Sequence, residues 1–324
     1  MGPLYFADAN APACHFRDRR IMENGLESRV PRVGMTCPGV IPRLSGGDGD
    51  EVSAFVVHGA RGRALLSGHV SEMEEHIRFM RYALRLANNA LHTGEVPVAC
   101  VFVYRGEVVS YGSNNTNDSL SGITHAEFRG INTILDKVKA CPGWENVFEK
   151  PEDIFKEVDL YVTVEPCVMC ASALKQIGIR NVYFGCGNER FGGNGSVLKV
   201  NTDKTTPENN YRSCPGVLRR EAVLLLRDFY THENKKAPEP RNKKNRNLNL
   251  ETFPDLIWKD YLSKEEFVEI FGPDKLACYD ANADVFEDVD WSIVSAANID
   301  ISDIDSMVQT PLHLDTSTKK RRLT

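Results

Sequence analysis

Four residues have types and spacings that permit chemistry: His125 and Glu127, two apart, and Cys167 and Cys170 in the run Pro166-Cys167-Val168-Met169-Cys170. A Cys-x-x-Cys at the start of a helix lets two sulfurs reach one ion, and the positive helix end favours their thiolate forms. His125 opens a different helix and offers a third ligand, a nitrogen. Three protein ligands leave one tetrahedral position to water, the arrangement of a catalytic zinc. Glu127 stands where it can exchange a proton with that water without binding the metal. A structural zinc site needs four ligands, and no second Cys-x-x-Cys or His-x-x-x-His lies near in the sequence. A thioredoxin-like redox pair requires no upstream His-x-Glu. The plain alternative for Glu127 is a solvated or helix-capping glutamate.

Elements that alternate helix and strand must position these residues. Ser71 and Glu74 have the spacing of a capping box, and Ile77, Met80, Leu84, Ala87 and Leu91 follow at helical intervals. The compact domain is therefore expected to begin at Ser71. PVACVFVYRGEVVSYG reads as a hairpin turning at Arg105-Gly106. A helix from Thr124 to about Val138 carries His125 and Glu127. Asp159–Val164 is a short apolar strand of the kind buried on both faces. It feeds a helix opened by Pro166 that runs to Gln176. Asn181–Gly185 is another strand, and Val217–His232 an amphipathic helix with Phe229 inward and Tyr230 on the surface. The order predicts an α/β fold, a three-layer α/β/α domain over a mixed sheet.

The remaining sequence divides by composition. The chain has 324 residues, 42% hydrophobic and 26% charged, with a formal net charge of −6. Those figures fit a globular protein with a sizeable core and exclude a uniformly basic surface. Residues 1–70, punctuated by Pro and Gly, read as a disordered N-terminal extension. Residues 71–235 form the expected metal-binding domain, 236–250 a basic linker, and 251–324 an appended, acidic, partly helical extension that ends in Lys319, Lys320, Arg321 and Arg322. CPGWENVFEKPED, between the two motifs, reads as a protruding loop insertion. Nine dispersed cysteines suit a reducing compartment. No apolar run approaches the ~20 residues that span a bilayer, so no membrane is expected. No basic segment followed by an apolar one opens the chain. Asp8, Asp18, Glu23 and Glu27 among the early arginines argue against a transit peptide, so the expected address is cytoplasm and nucleus.

His-x-Glu on one helix and Pro-Cys-x-x-Cys on a later one, with a strand between, form the signature of zinc nucleobase deaminases. The segments TGEVPVACVFV, GSNNTND, THAEFRGI, LYVTVEPCVMCASALKQ, FGCGNERFGGNGSVL and LRREAVLLLRDFY resemble the catalytic subunits of the eukaryotic heterodimeric tRNA wobble-adenosine deaminases, of the cytidine/deoxycytidylate deaminase-like superfamily. The resemblance spans residues 72–240 and is looser beyond. It implies one catalytic Zn2+, conversion of adenosine to inosine in a tRNA anticodon stem-loop, and a homologous partner subunit in which the catalytic glutamate is replaced. It also implies that Asn114 holds the target nucleoside, that the Ala126 backbone lies beside the base, and that Val96, Pro97 and Val98 wall the pocket. Glu165 belongs to the same motif, its role open between chemistry and positioning the strand end. Arg190 and Phe191 are expected to border the pocket or the partner. The basic side chains of Lys235, Lys236, Arg241, Lys243, Lys244 and Arg246 are candidate phosphate contacts, with a solvated linker as the alternative. The competing activities are deamination of free cytidine, deoxycytidylate or guanine, and a non-catalytic zinc scaffold.

Overall fold

A computed structural model describes residues 59–233 and 248–314, with the backbone alone for 59–72. The reading of residues 1–70 as disordered falls outside the described residues as far as 58 and is corrected from Gly59, where α1 begins; the basic residues from Lys235 to Arg246 and the terminal basic run also lie outside the described residues. The elements in chain order are α1 (Gly59–His92), β1 (Ala99–Tyr104), β2 (Glu107–Ser113), α2 (Ala126–Ala140), β3 (Val158–Val164), α3 (Val168–Ile177), β4 (Asn181–Cys186), β5 (Arg212–Cys214) and α4 (Arg219–Thr231). Four shorter helices follow: α5 (Lys264–Phe271), α6 (Leu276–Ala281), α7 (Trp291–Val294) and α8 (Ser302–Gln309).

The five strands form one mixed sheet in the order β2-β1-β3-β4-β5. β1 pairs antiparallel with both β2 and β3, while β3, β4 and β5 run parallel. The β1–β2 connection is as short as an antiparallel pair allows: Arg105 and Gly106 both take positive φ, the backbone of a two-residue hairpin turn. A parallel pair needs a crossover, and α3 supplies it between β3 and β4. Alternation along the strands separates two cores. Ala99, Val101, Val103, Tyr161 and Tyr183 face α1 and α4. Cys100, Phe102, Leu160, Val162 and Phe184 face α2 and α3. The result is a three-layer α/β/α arrangement.

Several expectations are corrected. α1 starts at Gly59, so Ser71 and Glu74 lie inside the helix and no capping box begins it there. Pro166 stands outside α3, whose N-cap is Cys167. α4 begins at Arg219 because Leu218 adopts a left-handed conformation that helices do not continue through. β5, three residues long, carried too short a pattern to be read. The stretch 141–157 does not simply protrude: two 3-10 turns bury Phe148, Ile154 and Phe155 in the core under α2 and α3.

The largest correction concerns the acidic C-terminal segment, which is no appendage. Trp258, Leu262, Phe267, Phe271, Ile293 and Ile304 belong to the same core as α1 and α4. Trp258 is wholly buried, with its ring edge-on to Phe267 and Phe271 and its Nε1 donating to the Ala283 carbonyl at 2.9 Å. The acidic side chains are matched to bases on the helices beneath. Asp284 bridges Arg219 and Arg220, each at 2.8 Å; Asp303 pairs with Arg85 at 2.7 Å; Asp290 meets Arg81 at 3.3 Å. Composition along the chain registers those charges but not their partners, which is why the segment reads as solvated. Its last helix, α8, covers the edge strand β2, where Asp305 accepts from the Tyr111 hydroxyl at 2.6 Å. Such covering protects an otherwise open strand edge.

Trp258→Ala is expected to lower the unfolding free energy by about 3–5 kcal/mol, measured by chemical denaturation. A loss below about 1 kcal/mol, the scale of an ordinary surface substitution, would return the segment to the status of an appendage.

Candidate metal centre

The sheet sets two helix N-termini side by side. His125 is the N-cap of α2 and Cys167 the N-cap of α3, both with extended backbone. The His125 side chain makes no capping bond to its own helix, which leaves the imidazole available to a ligand. Its Nδ1 lies 3.5 Å from the Cys167 sulfur and 3.4 Å from the Cys170 sulfur. Donor atoms of His125, Cys167 and Cys170 all fall within 4.8 Å of one another. A tetrahedral zinc with ordinary Zn–N and Zn–S lengths has an N···S edge of about 3.6 Å, so these side chains fit such an ion without rearrangement. Among the described residues no other group of His, Cys, Asp and Glu side chains comes together in this way.

The cluster's electrostatics follow from burial and hydrogen bonding. The Cys167 thiol is pulled down to about 4, chiefly by the Cys170 thiol and further by His125, while Cys170 is pushed up by the same contact. The hydrogen bond with Cys167 raises His125. Cys167 is thus the first sulfur to ionise, aided by the α3 N-terminus, whose Cys170 amide donates to it at 3.5 Å.

Glu127, in the first turn of α2, is 3% exposed. Burial pushes its carboxyl above the usual range, and the Cys170 thiol lies against it. Its Oε2 is buried with no hydrogen-bond partner in the protein. An orphan acceptor at this depth is costly unless something else occupies it. A cation at the cluster would act against the upward shift, favouring the ionised carboxylate.

Asn114, at the end of β2, is buried, and its side-chain oxygen accepts from the Ala126 amide at 3.0 Å. Its own amide donates to the Val98 carbonyl at 2.9 Å, tying it to the 96–98 segment. Gly112 permits this approach: a Cβ there would stand 1.9 Å from the Ala126 carbonyl oxygen. Pro97 is buried and Val96 and Val98 are half-buried, on the stretch leading into β1. The structure thus gathers His125, Glu127, Cys167 and Cys170 at one centre, with Asn114 and the Ala126 backbone adjoining through α2. Phe229 is buried and Tyr230 exposed, on α4. Arg190 lies over the exposed Phe191 ring, 5.3 Å from its centroid, on the loop that follows β4.

Two buried carboxylates frame the centre. The carboxylate of Glu95, unremarked in the sequence, accepts from the amides of Asn117 and Asp118 at 3.1 and 2.8 Å and so pins the loop between β2 and α2. Glu165 accepts from the amides of Asn188, Asn194 and Ser196 at 2.9, 2.9 and 3.1 Å and pins the loop after β4. That contact pattern gives Glu165 a positioning place, its oxygens occupied by backbone donors. The signal available beforehand was an acid within an apolar run, as in TVEPC and GEVPV.

Comparison with known proteins gives the following. Residues 73–186 match the family model described as the cytidine and deoxycytidylate deaminase zinc-binding region. The tRNA-specific adenosine deaminase subunit tad2 of Schizosaccharomyces pombe is 50% identical over 177 residues, 55% of this chain but 42% of that one. The tRNA-specific adenosine deaminase 2 of Xenopus laevis is 42% identical over 173 residues, 53% of this chain and 95% of that one. The tRNA-specific adenosine deaminase of Streptococcus pyogenes serotype M18 is 32% identical over 159 residues, 49% of this chain and 91% of that one. The match with the fission-yeast protein therefore spans less than half of its length.

His125→Ala and Cys170→Ala are each expected to purify with clearly substoichiometric zinc by atomic emission, whereas Val96→Ala retains it. Full zinc in both ligand variants would mean that the ion binds elsewhere.

Proposed function

The chain belongs to the tRNA-specific adenosine deaminase family, and from that premise we propose that it converts adenosine to inosine at the first anticodon position of tRNA, with one zinc ion held by His125, Cys167 and Cys170. The observation that carries the reading is the buried Glu127 carboxyl, unpartnered at one oxygen, beside three donor atoms spaced for a tetrahedral ion. When bound, zinc supplies a water activated for attack near neutral pH. Glu127 takes a proton from the attacking water on its free oxygen and passes it to the ring nitrogen beside the carbon under attack. It then takes the proton of the newly added hydroxyl and gives it to the departing amine, which leaves as ammonia as the carbonyl forms.

Asn114, held by the Ala126 amide, orients the nucleoside, and Val96, Pro97 and Val98 wall the base. An adenine reaches a centre this deep only by leaving the helical stack, and an anticodon loop presents unstacked bases readily. The basic side chains Lys235, Lys236, Arg241, Lys243, Lys244 and Arg246 follow α4 and supply phosphate contacts to the stem-loop. The chain acts as the catalytic half of a pair with a second deaminase-fold subunit lacking the glutamate. That assignment is supported by its own Glu127 and by the description of the S. pombe relative as a subunit. Work in both cytoplasm and nucleus is part of the same proposal and rests on the run Lys319–Arg322. Among the described residues no helix is long and apolar enough to cross a membrane.

The test is a Glu127→Gln variant, co-expressed with the partner and assayed on anticodon stem-loops and on free cytidine and guanine. Zinc content should be retained while stem-loop deamination falls about a hundredfold or more. Undiminished editing by the variant would remove Glu127 from the chemistry. Turnover of free bases alone by the unaltered chain would reassign the substrate.

A further inference from the structure

Loop 187–199 contains no helix or strand, yet it lies directly against the ligands. Cys167 forms an isolated antiparallel bridge with Gly192, the Val168 amide donates to the Phe191 carbonyl at 2.8 Å, and the Gly193 amide donates to the Pro166 carbonyl at 2.9 Å. The backbone on either side of the Cys167 ligand is therefore held by this loop. What holds the loop is Glu165, 2% exposed, whose carboxylate collects three loop amides and the Ser196 hydroxyl. Gly192 is packed so closely on it that a Cβ would stand 2.5 Å from a carboxylate oxygen.

The chain of bonds continues into the C-terminal segment. Ser196 Oγ is 2.7 Å from the hydroxyl of Tyr261. A serine hydroxyl has a single proton, and that of Ser196 is given to the acceptor-only carboxylate, so Tyr261 must be the donor to Ser196. The Tyr261 ring closes the same contact from outside. It stands edge-on to Phe184 of β4, with centroids 5.6 Å apart, and covers Gly195, where a Cβ would meet the ring at 2.6 Å. Gly195 itself has a φ of 148°, a conformation that other residues rarely adopt.

We propose that Tyr261 is a positioning residue of the metal centre: its hydroxyl closes the part-buried chain Tyr261–Ser196–Glu165 that fixes loop 187–199 against the Cys167 end of α3. The C-terminal segment thereby completes the site rather than only covering the core. Ser196 and Tyr261 both lie beyond residue 186, where the match to the zinc-binding region ends. The inference rests on the metal-site reading above. Connected polar side chains of this kind, anchored on a buried carboxylate, lose more than one bond's worth of order when one member is deleted.

The test uses the full chain with its partner, three single variants and the double variant that combines Tyr261→Phe with Ser196→Ala. Tyr261→Phe keeps the ring and removes the hydroxyl; Ser196→Ala breaks the chain at its middle. Tyr111→Phe is the control, because its hydroxyl donates to Asp305 of the same C-terminal segment at 2.6 Å, but on the edge strand β2, at the opposite side of the sheet from β4 and its loop. Hydrogen exchange at the Asn188, Asn194 and Ser196 amides and the rate of zinc transfer to a chelator are read together. Tyr261→Phe should speed both by about three- to tenfold, and the control neither. The double variant should exceed Ser196→Ala little, since one break already opens the chain. Exchange and zinc transfer within twofold of the unaltered chain in Tyr261→Phe, or equal changes in the control, would overturn the proposal. Failure of the metal-site reading shows differently: the unaltered chain would then carry no zinc to transfer, while loop exchange would still report on the chain of bonds.

Discussion

Everything in this molecule depends on bringing two helix N-termini to one point. A catalytic metal with three protein ligands needs donors of different kinds from different segments, and no single helix turn offers them. The sheet solves this by order: β2, β1 and β3 lie side by side, so the helix that follows β2 and the helix that follows β3 start at the same end of the sheet. His125 caps one and Cys167 the other. The positive helix ends that meet there favour a thiolate at Cys167 and a carboxylate at Glu127, which are the charges a cation needs around it. Close packing makes this possible at two glycines, Gly112 on the Ala126 backbone and Gly192 on the Glu165 carboxylate, where a methyl group would force the groups apart.

Around that point the fold spends buried acids on backbone amides. Glu95 and Glu165 each hold the loop beside one helix start, and neither offers its oxygens to the cluster. Glu127 is the counterexample, buried to the same degree yet orphaned at one oxygen. Satisfied carboxylates are scaffolding; the unsatisfied one faces the chemistry. The acidic C-terminal segment follows the same logic on a larger scale, with Asp284, Asp290 and Asp303 meeting arginines of α1 and α4 while Trp258, Phe267 and Phe271 fill the core between.

Local signals were legible in the sequence and distant ones were not. The Arg105-Gly106 turn, the alternation of β1 and the His-x-Glu and Cys-x-x-Cys spacings are all determined within a few residues, so they could be read directly. The start of α1 was misplaced because a local Ser71–Glu74 pattern has no power to stop a helix that continues through it. Phe148, Ile154 and Phe155 read locally as a protruding loop because their burial depends on α2 and α3, which come from elsewhere in the chain. The C-terminal segment was set apart for the same reason: a run of acids declares its charge, but only the folded chain shows the arginines opposite. Glu95 and Glu165 stood in apolar runs, a local anomaly whose meaning lay in the amides of loops tens of residues away.

On the function proposed above, a water activated at the His125, Cys167 and Cys170 centre replaces the amine of one anticodon adenosine. The most direct test is mass spectrometry of nuclease-digested tRNA after incubation with the chain and its partner in heavy-oxygen water. The account predicts inosine at the first anticodon position carrying one heavy oxygen on the carbon that bore the amine, with other adenosines unchanged. Unconverted adenosine at that position, or inosine without the heavy oxygen, would contradict it.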